Sequence, residues 1–92
     1  MPVLSSTEIE QGLAAIPDWH LESGNLVRVF TFADFREAMS FVNSVAVVAE
    51  RAGHHPDIDL RYNKVHLALS SHDAGGITDR DFSLADQIGK IL

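Results

Sequence analysis

The stretch GHHPDIDLRYNKVHLALSSH, residues 53–72, decides the fold and holds four of the five histidines. Ile58, Leu60 and Tyr62 alternate with Asp57, Asp59 and Arg61; Val65, Leu67 and Leu69 alternate with residues that include His66. Period-two alternation is the mark of a half-buried strand. Asn63-Lys64 between the two runs predicts a hairpin turn. The polar outward face predicts a sheet with one exposed side. Ahead of the hairpin, Gly53 suits the left-handed residue that ends a helix. His54-His55-Pro56 is then the connection. Pro56 fixes its own φ and pushes His55 into extended backbone, so the two imidazoles are aimed in different directions. His72 leaves the other end of the hairpin. Antiparallel pairing lays the start of one strand beside the end of the other, so His72 is expected close to His54 and His55.

Working outward, ADFREAMSFVNSVAVVAERAG (33–53) predicts a long helix capped by Asp34, with Glu37 in its first turn. Phe35, Ala38, Met39, Val42, Val45, Ala46, Ala49 and Ala52 form its expected core stripe. Phe41 and Val48 fall outside that stripe and are expected on a second covered face, a subunit contact. DWHLESGNLVRVFTF (18–32) predicts another hairpin, turning at Ser23-Gly24-Asn25. SSTEIEQGLAAIP (5–17) carries the capping-box pair Ser5 and Glu8 and stops at Pro17. After a Gly-rich loop, TDRDFSLADQIGKIL (78–92) predicts a last helix capped by Thr78, with Asp81 at its third position and Phe82, Ala85, Ile88 and Leu92 as its stripe. The order α-β-β-α-β-β-α predicts an α+β fold: a two-layer, four-stranded antiparallel sheet with helices packed on one face.

The 92 residues suit a single domain, 1–92, with a modest core. A net charge of −6, with seven scattered basic residues, argues against direct nucleic-acid binding. The absence of cysteine excludes disulfides, thiolate metal sites and a Cys nucleophile. The N-terminus lacks the pattern of a signal peptide, and the longest apolar run, Val45–Ala49, is far too short to cross a bilayer. No membrane association and a cytoplasmic location are therefore expected.

Three readings of His54, His55 and His72 compete on spacing alone. Three imidazoles with an open position resemble a catalytic zinc site, although adjacent residues rarely ligate one ion well. Imidazole also titrates near working pH and both gives and takes protons. Finally, histidines at helix ends and turns can simply satisfy backbone groups.

Glu50, His54-His55-Pro56, Tyr62-Asn63-Lys64-Val65-His66, Ser71-His72, Gly76 and Asp79-Arg80-Asp81 together resemble the signature of the pterin-4a-carbinolamine dehydratases. The resemblance spans nearly the whole chain. It implies removal of water from 4a-hydroxytetrahydropterin to give quinonoid dihydropterin, which can be reduced again for aromatic amino acid hydroxylases. It implies no cofactor, because the pterin is the substrate, and no metal. It also implies His54 and His72 as acid/base groups, with His55, counted with them as catalytic, mainly holding substrate. Glu50, Trp19 and Asp81 match supporting or pocket-lining positions. Asp81 also stands where a capping box needs a carboxylate, and Trp19 is large enough for burial to be its default. Glu50 is one turn before a helix end, an unfavourable place for negative charge, which favours a functional role. His66 and His20 read as structural or solvated. The resemblance further implies a homodimer or homotetramer. Because some animal members act as dimerisation cofactors of a transcription factor, a pterin-binding or protein-dimerisation module is the competing function. Asp57-Ile58 stands where some relatives carry Glu and an aromatic residue, Ser71 where threonine is common, and Ala74 where some carry cysteine.

Overall fold

A computed structural model describes residues 2–92. Its elements are α1 (Ser6–Ala15), β1 (His20–Glu22), β2 (Asn25–Thr31), α2 (Phe35–Ala52), β3 (Asp57–Arg61), β4 (Lys64–Leu69) and α3 (Asp79–Gly89). The four strands form one antiparallel sheet in the order β1-β2-β4-β3. The two hairpins are joined by β2 against β4, with Leu26 opposite Leu69 and Phe30 opposite Val65. Alternation puts Leu26, Phe30, Val65, Leu67 and Leu69 on one face. There they meet Ala38, Phe41 and Val45 of α2 and Leu84, Ala85 and Ile88 of α3 in one buried cluster. The other face carries His66 and Asp59 side by side, with Val29 on the other flank of His66. This is the α+β arrangement expected from the sequence.

Local chemistry fixes the element ends. Both hydrogen bonds of the Ser5–Glu8 capping box form at α1, and Asp34 caps α2 through the Glu37 amide. Gly53 ends α2 at φ 64°, a left-handed conformation that costs a residue without Cβ almost nothing. Gly12 allows α1 to approach α3, since a Cβ there would meet the Phe82 ring at 2.6 Å.

Three expectations need correction. The second hairpin turns at Tyr62-Asn63, not Asn63-Lys64. Asn63 accepts from the Phe32 amide and donates to the Phe32 carbonyl, each at 2.9 Å. These bonds hold Asn63 in the turn, and Tyr62 takes the left-handed position at φ 52°. On α3, Leu84 and Asp81 are buried in place of the expected Phe82 and Leu92, which are half-buried and exposed. On α2, Phe41 belongs to the core. Its ring lies 4.6 Å from Phe30 and 5.0 Å from Phe32, centroid to centroid. Val48 also packs against the core, whereas Phe35, Ala46 and Ala52 are exposed. The helix carries two overlapping apolar stripes, and stacking on Phe30 and Phe32 selects the one through Phe41. The large apolar side chains left exposed include Phe35, Val47, Ile58 and Tyr62.

Truncating Phe41 to Ala should lower the unfolding free energy by about 3–5 kcal/mol. Urea denaturation measures this; a loss below about 1 kcal/mol, the range of ordinary surface changes, would return Phe41 to the surface.

Candidate active site

The C-terminus of α2, the start of β3, the end of β4 and the N-terminus of α3 converge at one end of the molecule. The left-handed Gly53 turns the chain out of α2, and His54 N is held by the Ala49 carbonyl at 3.2 Å. His54, His55 and His72 line one cavity of about 310 Å³, with Gly53, Ser70, Asp73 and Arg80. The hairpin register delivers them: Asp57 opposite Ala68 brings the residues before β3 beside those after β4.

The three histidines have different surroundings. His54 is buried, and its Nε2–H donates to Asp81 Oδ1 at 2.5 Å. In the neutral ring this leaves Nδ1 as the nitrogen free to exchange a proton; the proton position follows from its carboxylate partner. His55 is exposed, and its Nε2–H donates to Glu50. His72 is exposed, and its ring makes no hydrogen bond among the described residues.

Asp81 is the centre of a buried network. It is fully buried and accepts three hydrogen bonds: His54 Nε2–H on Oδ1, with Ser71 Oγ–H and the Thr78 amide, each at 2.9 Å, on Oδ2. Thr78 Oγ1 lies 2.8 Å from Ser71 Oγ and donates to it, since the one Ser71 proton goes to Asp81. The capping box and the histidine support are thus one carboxylate. Of the two readings of Asp81, cap and pocket residue, the structure shows the cap and adds the contact with His54. With no exposed surface it acts on a ligand only through His54.

Trp19 lies in the core, the second of its two readings. It is buried edge-to-face against Phe30, 6.2 Å between centroids. It borders a different depression, with Asp18, Arg28 and Lys90, so the chain does not bring it to the histidines. Glu50 is at the site, against His55. His20 is exposed beside Glu22, and His66 lies on the outer sheet face. No group of three or more His, Cys, Asp or Glu side chains among the described residues is arranged to hold a metal ion.

Sequence reasoning assigns no role to Ser71, Asp73 or Arg80. Arg80 Nη2 donates to Asp73 Oδ1 at 2.5 Å. That bond and the guanidinium charge hold the Asp73 carboxyl below the ordinary carboxylate range. The pair is therefore intact at neutral pH and is lost only as pH falls through that lowered value. Ser71 and Arg80 do stand within the quoted signature, but for Asp73 the signal in the sequence is its place beside His72.

A four-stranded antiparallel sheet under three helices defines an α+β protein, with three histidines around a cavity at one end. Residues 2–91 match the family model described as pterin 4 alpha carbinolamine dehydratase, and the chain belongs to that family. A protein of Chloroflexus aurantiacus named "Putative pterin-4-alpha-carbinolamine dehydratase" is 56% identical, over 100% of this chain and 99% of its own. One of the same name from Acidobacterium capsulatum is 54% identical, with both chains covered in full. The crystal structure of a transcriptional coactivator/pterin dehydratase from Brucella melitensis superposes with a TM-score of 0.92 at 31% identity, covering 97% of each chain. The fold alone is shared with a pterin dehydratase-like RuBisCO assembly factor of the alpha-carboxysome, at a TM-score of 0.65 and 19% identity over 79% of this chain and 84% of that one.

Replacing Asp81 by Ala should destabilise the protein by about 3–5 kcal/mol, as removal of one partner from a buried charged network does. Denaturant unfolding reads the loss. NMR should also lose the downfield His54 Nε2–H signal; its survival in the variant would separate His54 from Asp81.

Proposed function

We propose that the chain dehydrates 4a-hydroxytetrahydropterin to quinonoid dihydropterin and water, with the pterin as substrate and no further cofactor. The observation that carries this reading is the convergence of His54, His55 and His72 on one cavity, with His54 oriented by buried Asp81. Hydroxide is a poor leaving group, so a general acid must protonate it. A ring nitrogen supplies the electrons, and a base takes its proton as the new double bond forms. The proton given equals the proton taken, so two imidazoles in complementary states complete the reaction. His54, fixed through Nε2, and His72, with both nitrogens free, are assigned these roles. His55, paired with Glu50, is assigned to holding the pterin. Family membership and the named relatives support the substrate class. Recycling of tetrahydropterin for an aromatic amino acid hydroxylase is the physiological role this chemistry fits.

A second reading is favoured by the similar protein from Brucella melitensis, which is called a transcriptional coactivator as well as a pterin dehydratase. A protein-dimerisation role would use apolar surface away from the histidines, such as Phe35 and Val47.

Steady-state kinetics in the presence of a chelator test the assignments. His54→Ala and His72→Ala should chiefly lower kcat, each by about 10²- to 10⁴-fold, and the double variant should be worse than either. His55→Ala should chiefly raise KM, because it removes binding shared by substrate and transition state. Full activity in the folded double variant ends the acid–base assignment, and activity restored only by zinc replaces it with a metal mechanism.

The exposed apolar set Phe35, Val47, Ile58 and Tyr62 supports a homodimer or homotetramer. Light scattering at micromolar concentration should report an oligomer; a monomer would contradict it.

A further inference from the structure

His72 is the one histidine of the cavity with no side-chain partner among the described residues, yet proton transfer demands a fixed geometry. Its two sequence neighbours are both gripped. Ser71 Oγ donates to Asp81 Oδ2 at 2.9 Å, and Asp73 Oδ1 accepts from Arg80 Nη2 at 2.5 Å. Arg80 and Asp81 are consecutive residues in the first turn of α3. That same turn holds His54 through Asp81. Within the loop, Ser71 N donates to the Gly76 carbonyl at 2.9 Å and closes its neck. Beyond that neck, the Asp73–Arg80 bond is the side-chain tie between the loop and α3.

Arg80 is not an ordinary surface cation. Its side chain is 28% exposed, against 72% for Asp73. Its Nε is buried with no hydrogen-bond partner, so Asp73 is the one side-chain acceptor its guanidinium has among the described residues. A partly buried guanidinium with a single acceptor has little freedom to point elsewhere, and its planar fork is pre-organised for a carboxylate.

We propose that Arg80 and Asp73 are positioning residues for His72: their bond latches the 71–76 loop to the first turn of α3 and so sets His72 relative to His54. The consequence for turnover rests on the dehydratase reading; the latch itself is observable without substrate.

Backbone ¹⁵N relaxation and kinetics on Arg80→Gln and Arg80→Lys test it. In the unaltered protein His72 should have a rigid order parameter of about 0.85, falling below about 0.6 in Arg80→Gln. Residues 54 and 55 should stay rigid, and Arg80→Lys should lie between. Turnover in Arg80→Gln should fall about ten- to a hundredfold, as for small misplacements of a reacting group, with little change in KM. The loss should vanish in a His72→Ala background and persist in a His54→Ala background, because Arg80 acts through His72 alone. Unchanged order parameters, or a loss that persists without His72, overturns the proposal. If the unaltered protein does not dehydrate the carbinolamine, the dehydratase reading falls and relaxation alone decides the latch. Should Arg80→Gln not fold, Asp73→Ala removes the acceptor of the same bond at an exposed position and is read in the same way.

Discussion

The rest of the site depends on one fully buried carboxylate. Asp81 has no contact with water, so every one of its interactions must come from the protein. The chain supplies a helix-end amide, a hydroxyl and an imidazole. Each donor comes from a different segment: Thr78 at the start of α3, Ser71 after β4 and His54 after α2. The carboxylate therefore does more than begin a helix. It requires three segments to meet at one point, and it fixes the ring orientation of His54 where they meet. Exchanging either side-chain donor, Ser71 or His54, for an apolar group leaves a buried acceptor short, a cost that exceeds the value of the bond itself.

The scaffold around Asp81 explains why histidines gather where they do. Gly53 turns the chain sharply, so His54 points inward to the network while His55, one residue on, remains exposed beside Glu50. The antiparallel pairing of β3 with β4 then returns the chain to the same end of the sheet. Two imidazoles with different burial and different partners result from adjacent positions in sequence, and a third arrives from the far end of the hairpin. The three rings thus differ in burial and in partner: His54 is buried on Asp81, His55 is exposed on Glu50, and His72 is exposed with no side-chain partner among the described residues.

Much of this is legible in the sequence. Alternation over 57–69 and the capping signals at Ser5, Asp34 and Thr78 give the correct element order, and hairpin geometry alone brings His72 to His54 and His55. The phase of α2 is less legible. Phe35 and Phe41 both sit on apolar stripes, and only the tertiary placement of Phe30 and Phe32, from the strand and link just before the helix, decides between them. Alternation alone puts Tyr62 in the strand, because the bonds that hold Asn63 in the turn come from Phe32, outside that hairpin. Asp81 presents two readings, cap or pocket residue; the structure shows the cap and adds the support of His54, which no spacing announces. Arg80 stands in a recognisable motif, but its pairing with Asp73 is not legible, since it exists only once the loop after β4 folds back on α3.

The cap on α3 has a bearing on how the molecule comes into being. His54 and His55 belong to the first part of the chain, ahead of β3; His72 and Asp81 belong to the part that follows. The two hairpins meet through β2 and β4, and the whole of α2 and β3 lies between those strands in sequence. Such distant partners must close a long loop before any burial rewards them. Neither part of a nascent or nicked chain contains a working constellation, and no subset of segments satisfies the buried carboxylate. A partly folded chain thus holds loose imidazoles rather than a crude version of the site, so competence arrives with the complete fold.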